Sequence, residues 1–184
     1  MQIGNWNIEA GDVDPRALHD FIRWRGALSS VTDLGAYRDV TRNLITRDGD
    51  ARGVIGAEVT ASAFRIAPTP PLLGRVIVPA DELAGAPPVV VLGYDVWRTR
   101  FASDAGVIGR SVRLGDVSAT VVGVMPEGFA FPIAHELWTQ LRSDLLDRTP
   151  RGGTGITVFG RLARGVSLEE AQAELTTLGR RAGR

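Results

Sequence analysis

The longest apolar runs in this chain are only as long as a β-strand, and each ends on a breaker. Val89–Leu92 stops at Gly93, and Thr120–Met125 stops at Pro126. A bilayer-spanning helix needs about 20 apolar residues, so no span is expected within these 184 residues. Short runs between Gly and Pro predict short strands, tight turns and brief helices. The opening "MQIGNWNIEAGD" has neither a basic start nor an apolar core, so it does not read as a signal peptide. The ending "LGRRAGR" reads as a helix cut short, and the chain as an excised domain.

Charge and composition exclude several functions. The 21 basic and 21 acidic residues cancel, which argues against a nucleic-acid surface. The basic residues are arginines, as GC-rich coding favours. There is no cysteine, so disulfides, thiol nucleophiles and Cys-based metal sites are out.

Along the chain, Ile3–Glu9 alternates like a strand and is broken at Gly11-Asp12. Asp14-Pro15 reads as an N-cap followed by Pro at the first helical position. The helix behind it would carry Leu18, Phe21, Ile22 and Leu28 on one face and end at Ser29-Ser30. "RNLIT" and "ARGVIGAEV" flank Asp48-Gly49, a hairpin signal. Ser62–Ile66 suits one helical turn, and Pro68–Arg75 a stiff connection. Val89–Leu92 leads into a helix from Tyr94 to about Phe101, with Val96, Trp97 and Phe101 apolar.

A second hairpin turns at Gly115-Asp116, with Val112 and Leu114 facing the Val117–Val124 run. "VVGVMPEGFAFP" then forms a corner. Pro126 ends the strand, Gly128 lets the backbone reverse, and Phe129 and Phe131 fold back onto Trp97 or Trp138. "ELWTQL" and "ITVFGRLA" read as strands, with a polar loop at Arg148–Gly155 between them. Ser167 and Glu170 make a capping box, followed by a helix with Leu168, Ala171, Leu175 and Leu178 on one side. The fold class is α+β, with strands outnumbering helices.

Sites for chemistry are sparse, and the expectation is no catalytic, cofactor or metal residue. His19 lies beside the apolar face of the first helix. His135-Glu136 is half of a zinc motif whose second His is missing, since position 139 is Thr. "RGGTG" lacks the Lys-Ser/Thr ending of a phosphate loop and precedes a strand. Asp81-Glu82 is placed in a polar loop after Pro79, and Glu169-Glu170 at a helix N-terminus, where carboxylates are favoured. Trp6, Trp24, Trp97 and Trp138 read as core or interface packing.

With those elements in place, Val89–Pro132 resembles the MacB-type periplasmic core domain of ABC transporter permeases, the MacB/FtsX-like family. The pattern is carried by Gly93, Tyr94, Trp97, Arg100, Phe101, Ser103, Asp104, Val107, Ile108, Gly109, Arg110 and Val121–Pro126. Phe129-Phe131-Pro132 and Glu136-Leu137-Trp138 fit as well, as do "DFIRWRGALSSVTDLGAY", "GAEVTASAFRIAPTPPLLGR" and "VFGRLARGVSLEEAQAEL". Ala67-Pro68-Thr69 departs from the family's usual Leu-Gly-Val before the Pro.

The resemblance implies two lobes: a βαβ-rich, porter-like lobe from residues 1–63 and 146–184, and a smaller β-rich lobe inserted at 64–145. It implies a non-catalytic extracytoplasmic domain on the periplasmic side of the bacterial inner membrane. ATP would be used by a separate cytoplasmic ATPase domain or subunit, and this domain would hold no cofactor. The partners implied are that ATPase, a permease dimer mate, and a periplasmic adaptor or a substrate peptide or lipoprotein. Phe129, Phe131 and Trp138 are the candidate partner surface. Two rivals stand beside this reading. A free-standing ligand-binding protein predicts a deep apolar pocket with a few inward polar groups. A hydrolase predicts two converging carboxylates.

Overall fold

The computed structural model describes residues 2–3, 5–7, 12–14, 16–46, 49–142 and 155–182. The chain divides into two compact units. One is Met1–Ala36 with Leu145–Arg184, and the other is Tyr37–Asp144. The expected insert starts at residue 64, and the middle unit starts at Tyr37. Residues 37–45 of β5 (Val31–Ile45) lie in the middle unit with β6 (Ala51–Val59), to which they pair continuously from Tyr37↔Val59 to Ile45↔Ala51.

In the first unit, β1 (Gln2–Ile3) and β4 (Arg16–Ala17) pair antiparallel with β12 (Gly155–Leu162). β12 also neighbours β5. A separate ribbon joins β2 (Asn5–Asn7) to β3 (Asp12–Asp14). The expected strand over Ile3–Glu9 is thus two short pieces. Asp14 lies in a strand rather than at a helix cap, and α1 spans Leu18–Ala27. Pairing of Arg16–Ala17 with Gly155–Ile156 keeps the chain extended past the Asp-Pro signal. Phe21 is buried as expected and Trp24 joins it, whereas Ile22, expected on the same face, is exposed.

α4 (Leu168–Ala182) starts with the expected capping box. Ser167 Oγ accepts from Glu170 N–H at 3.2 Å, and Ser167 N–H donates to Glu170 Oε2 at 2.8 Å. Its buried contact is Ala171, while Leu168 is exposed rather than packed. Residues 148–154 of the polar loop, and the side chains of Trp6 and His19, lie outside the described residues.

In the second unit the strands close on themselves. β6 pairs with β11 (Leu137–Gln140), β11 with β8 (Val89–Leu92), and β8 with β10 (Val117–Val124). β10 pairs with β9 (Ser111–Leu114), and β9 returns to β5 through Leu44↔Leu114 and Ile45↔Arg113. Closure removes open strand edges along most of the circuit. Leu44, Val54, Val90, Leu92, Val112, Leu114, Ala119, Val121 and Leu137 form one buried cluster, joined by Val96 from α3 (Tyr94–Arg100).

Side chains alternate along a strand. Leu137 therefore joins that cluster, while its neighbour Trp138, 1% exposed, packs on the opposite face. That face is covered by α2 (Ser62–Ile66) and the corner after β10. β7 (Leu73–Gly74) pairs with the end of β10, so the stiff connection contains a short strand. Gly115 has φ +65° and turns the β9–β10 hairpin as expected.

Candidate functional site

The corner "VMPEGFAFP" is built from its residue types. Val124 is the last strand residue, Pro126 has no N–H to continue the ladder, and Gly128 takes φ +78°. Phe129 N–H donates to Pro126 O at 3.2 Å and closes the turn. The chain then folds back on Trp138. The ring of Phe129 meets the indole edge to face with centroids 5.1 Å apart, and stacks on Phe64 at 6.2 Å. Trp138 Nε1–H donates to Phe131 O at 3.0 Å. Of the two tryptophans expected to receive Phe129 and Phe131, Trp138 takes the ring of the first and the carbonyl of the second. Trp97 pairs with Tyr94 at 5.8 Å and donates to Asp104 O at 3.0 Å.

The expected partner surface is Phe129, Phe131 and Trp138. Phe129 and Phe131 are half-buried, and Trp138 is sealed beneath them. Trp138 thus supports the corner from inside.

His135 lies at the end of the same corner, with its side chain fully buried. Its Nε2 is 2.7 Å from Asp39 Oδ1 and its Nδ1 is 3.0 Å from Ile133 O. Tyr37 and Trp138 approach the ring edgewise at 6.0 and 6.4 Å. The histidine that opens half of a zinc motif is therefore a clasp between the corner and β5. Among the described residues no group of three or more His, Cys, Asp or Glu is placed to hold a metal.

Between the corner and the first turn of α3 is a cleft of about 290 Å³. Tyr94, Val96, Phe129, Ala130 and Ala134 give it apolar walls, and Asp95 and Glu136 give it carboxylates. Gly93 fixes its width. Gly93 N–H donates to Glu136 O at 2.8 Å, and a Cβ on Gly93 would lie 2.7 Å from that oxygen. Any other residue there would push α3 off the corner.

The motif residues of α3 and the following turn are scaffold. Arg100 pairs with Asp50 at 2.9 Å. Asp104 accepts from Gly106 N–H at 2.8 Å and pairs with Arg110; these two contacts hold its carboxyl below the usual carboxylate range. Ala102 and Ser103, with φ of 50° and 57°, make the tight turn that brings Asp104 back to Trp97.

Asp81 and Glu82 are not in an open polar loop. They lie on the short helical turn Pro79–Glu82, and both are buried. Asp81 takes a bidentate pair from Arg75, at 2.6 and 3.0 Å, and a bond from Val78 N–H at 2.9 Å. Burial pushes its carboxyl up, but Arg75 and the Val78 N–H outweigh this and its pKa falls below the ordinary value. Glu82 accepts from Ala61 N–H. The two carboxylates pin the long connection, with no sequence signal beyond the Asp-Glu pair itself.

The family model of the MacB-like periplasmic core domain matches residues 2–178. The chain belongs to that family. These domains are the periplasmic parts of MacB/FtsX-like ABC transporter permeases. The chain is similar in fold to the periplasmic region of MacB from Actinobacillus actinomycetemcomitans (TM-score 0.75, 15% identity), covering 100% of this chain and 84% of that one. It is similar to a domain of a putative permease from Porphyromonas gingivalis (TM-score 0.66, 15% identity), over 91% of this chain and 70% of that one. It is also similar to the extracellular domain of the noncanonic ABC-type transporter YknZ from Gram-positive bacteria (TM-score 0.66, 11% identity, 99% and 93% covered). No curated protein matches the chain. At these identities the MacB-like structures show the shared fold alone. Among the described residues, no helix is long and apolar enough to cross a membrane.

Proposed function

We propose that this chain is the extracytoplasmic domain of an ABC-type permease, that it is non-catalytic, and that it relays ATP-driven movement to a substrate or partner outside the membrane. The observation that carries the reading is the family match over residues 2–178. The structure supports it: the polar residues of the family motif are spent within the fold, Asp104 and Arg110 on each other and on the Gly106 N–H, and Arg100 on the side chain and carbonyl of Asp50. A domain that transmits movement needs such cross-braced turns more than it needs free acid and base groups.

In this reading the unit formed by both chain ends is the porter-like part, and the closed β-unit is the insert. ATP is used by a separate cytoplasmic domain or subunit, and the domain holds no cofactor. Its partners are that ATPase, a permease dimer mate, and a periplasmic adaptor or a peptide or lipoprotein substrate. The corner with Phe129 and Phe131, backed by Trp138, is the proposed contact surface.

The absence of cysteine makes the location testable. Ala134 is exposed, so Ala134→Cys in the parent protein should react with a membrane-impermeant maleimide in intact spheroplasts. Labelling only after lysis would overturn the extracytoplasmic reading.

A further inference from the structure

β6 is longer than the strand beside it. β11 runs parallel to it from Leu137↔Gly56 to Gln140↔Val59. Ahead of that, Glu136 closes the ladder. Its N–H donates to Ile55 O at 2.8 Å. Its Oε2 accepts from Ile55 N–H at 2.7 Å, in the place that a backbone carbonyl would hold if the parallel ladder went on. The chain does not lead on along β6, because His135 turns off to its bond with Asp39. Ala51, Arg52 and Gly53, the first residues of β6, are exposed.

Alternation along a strand settles which way their backbones face. Ile55 N–H and C=O both point away from β5, toward Glu136. Gly53 and Ala51, two and four residues earlier, point the same way. The hairpin agrees. Thr46 N–H donates to Asp50 O at 3.3 Å, and the carbonyl of Asn43, opposite Gly53, is turned outward to Gly115 N–H at 2.8 Å. The N–H and C=O groups of Ala51 and Gly53 thus form a short row of donors and acceptors at strand spacing. Among the described residues no hydrogen bond is made to that row.

Beside the row, between β6 and α3, is a hollow of about 320 Å³ lined by Val54, Val96 and Thr99. The charged groups around it are largely engaged: Arg98 with Asp95 at 3.1 Å, Arg100 with Asp50 at 2.9 Å, and Glu136 with Ile55 N–H. Charge therefore selects little there, and the backbone row is the feature left to be read.

We infer that the open edge of β6 at Ala51–Gly53 takes up an extended segment of a partner protein as an added strand. The segment bonds through its backbone to the N–H and C=O groups of Ala51 and Gly53, and one apolar side chain enters the hollow against Val54 and Val96. An unpaired strand edge is a template for another extended chain, which carries its own donors and acceptors at the same spacing. This surface is separate from the corner with Phe129 and Phe131, and the inference does not rest on the transport reading.

The test follows the backbone amides of the isotope-labelled 184-residue chain by NMR as acetyl-TVTVTVT-amide is added. The Ala51 and Gly53 amides should shift saturably and exchange with solvent about tenfold more slowly. The same peptide N-methylated at every residue keeps its side chains but loses its donors, and should do neither. Gly53→Pro removes one outward N–H and spares the β5 ladder. Proline is tolerated on a strand edge, and a Cβ there has only Asn43 Oδ1 nearby, at 3.9 Å. Its affinity for the peptide should fall about fivefold or more. Thr99→Trp, at an exposed position, should block the hollow and weaken binding as well. Unchanged melting temperatures would show that the variants fold; should Gly53→Pro not fold, Thr99→Trp and the N-methylated peptide decide. Unmoved Ala51 and Gly53 amides at millimolar peptide, equal binding of the N-methylated peptide, or wild-type affinity in the folded variants would overturn the inference. Slow exchange at these amides without peptide, together with a dimer in sedimentation, would give the edge to a second copy of the chain and overturn the partner segment. None of these outcomes touches the maleimide experiment, so this inference and the extracytoplasmic reading fail separately.

Discussion

The indole N–H of Trp138 donates to the carbonyl of Phe131 at 3.0 Å, across seven residues of chain, while its ring carries Phe129 at 5.1 Å. One side chain therefore fixes both aromatics of the corner, one through its backbone and one through its ring. Trp138→Phe keeps most of the packing and leaves the Phe131 carbonyl without this donor, at a cost of about 1 kcal/mol. Trp138→Ala also opens a cavity under the corner and should cost about 3–5 kcal/mol. Urea unfolding of the two variants checks the order. Equal losses would mean that the hydrogen bond, not the ring, holds the corner.

The parts of this fold that were legible in the sequence are those set by neighbours along the chain. Val89–Leu92 before Gly93, the Gly115 hairpin, the corner at Pro126 and the Ser167–Glu170 box all lie where local pattern places them. Of β5, only the end, "RNLIT", carries a strand signal. "VTDLGAYRDV" interleaves charges without a clean period, and its strand character comes from its partners, β6 across the hairpin and β12, which is distant in sequence. The same holds for the site. The His135–Asp39 clasp spans 96 residues and has no local signature. Burial of Asp81 and Glu82 follows from contacts to Arg75 and Ala61 that an Asp-Glu pair does not announce.

Gly74 and Gly123 meet where β7 joins β10. A Cβ on Gly123 would stand 2.1 Å from the Arg75 carbonyl oxygen, and one on Gly74 2.2 Å from that of Val122. Both obstacles are backbone and cannot rotate away. Gly123→Ala should therefore destabilise the protein by about 1–3 kcal/mol or more. Gly128→Ala is the control: φ is +78°, but nothing lies within 4 Å of its Cβ. It meets only the left-handed backbone penalty, about 1–2 kcal/mol. Melting temperatures should rank Gly123→Ala below Gly128→Ala below wild type.

Asp81 is 8% exposed and holds Arg75 through two bonds and the Val78 N–H through a third. Asp81→Asn keeps the shape but loses the charge that balances the guanidinium. The loss should be about 1–3 kcal/mol. Because the pair pins the connection from Leu73 to Pro88, the first effect should be local. Limited proteolysis should cut Asp81→Asn within that connection under conditions where the wild type stays intact. Indifference to protease would show that Glu82 and its bond from Ala61 suffice.

Glu174 on α4 reaches the turn after α1. Its Oε1 accepts from Ser29 N–H at 2.9 Å and Ser29 Oγ–H at 2.7 Å, and its Oε2 accepts from Ser30 N–H at 2.9 Å. Ser30 first, and then Ser29, lower its carboxyl to about 2. Ser30 Oγ itself has no well-aligned partner, so the two backbone N–H groups and the Ser29 hydroxyl are the bonds that count. A carboxyl depressed in the folded state stabilises that state above its unfolded value. The contribution fades as pH falls from the ordinary carboxylate range, near 4.5, through about 2. The group is half-buried at the surface, so solvent screening keeps the effect to about 1 kcal/mol. Glu174→Gln should lower the melting temperature slightly at pH 7 and hardly at all at pH 2, so the two curves converge on acidification. Parallel curves across that range would show that the carboxylate charge plays no part in holding α4 to the turn after α1.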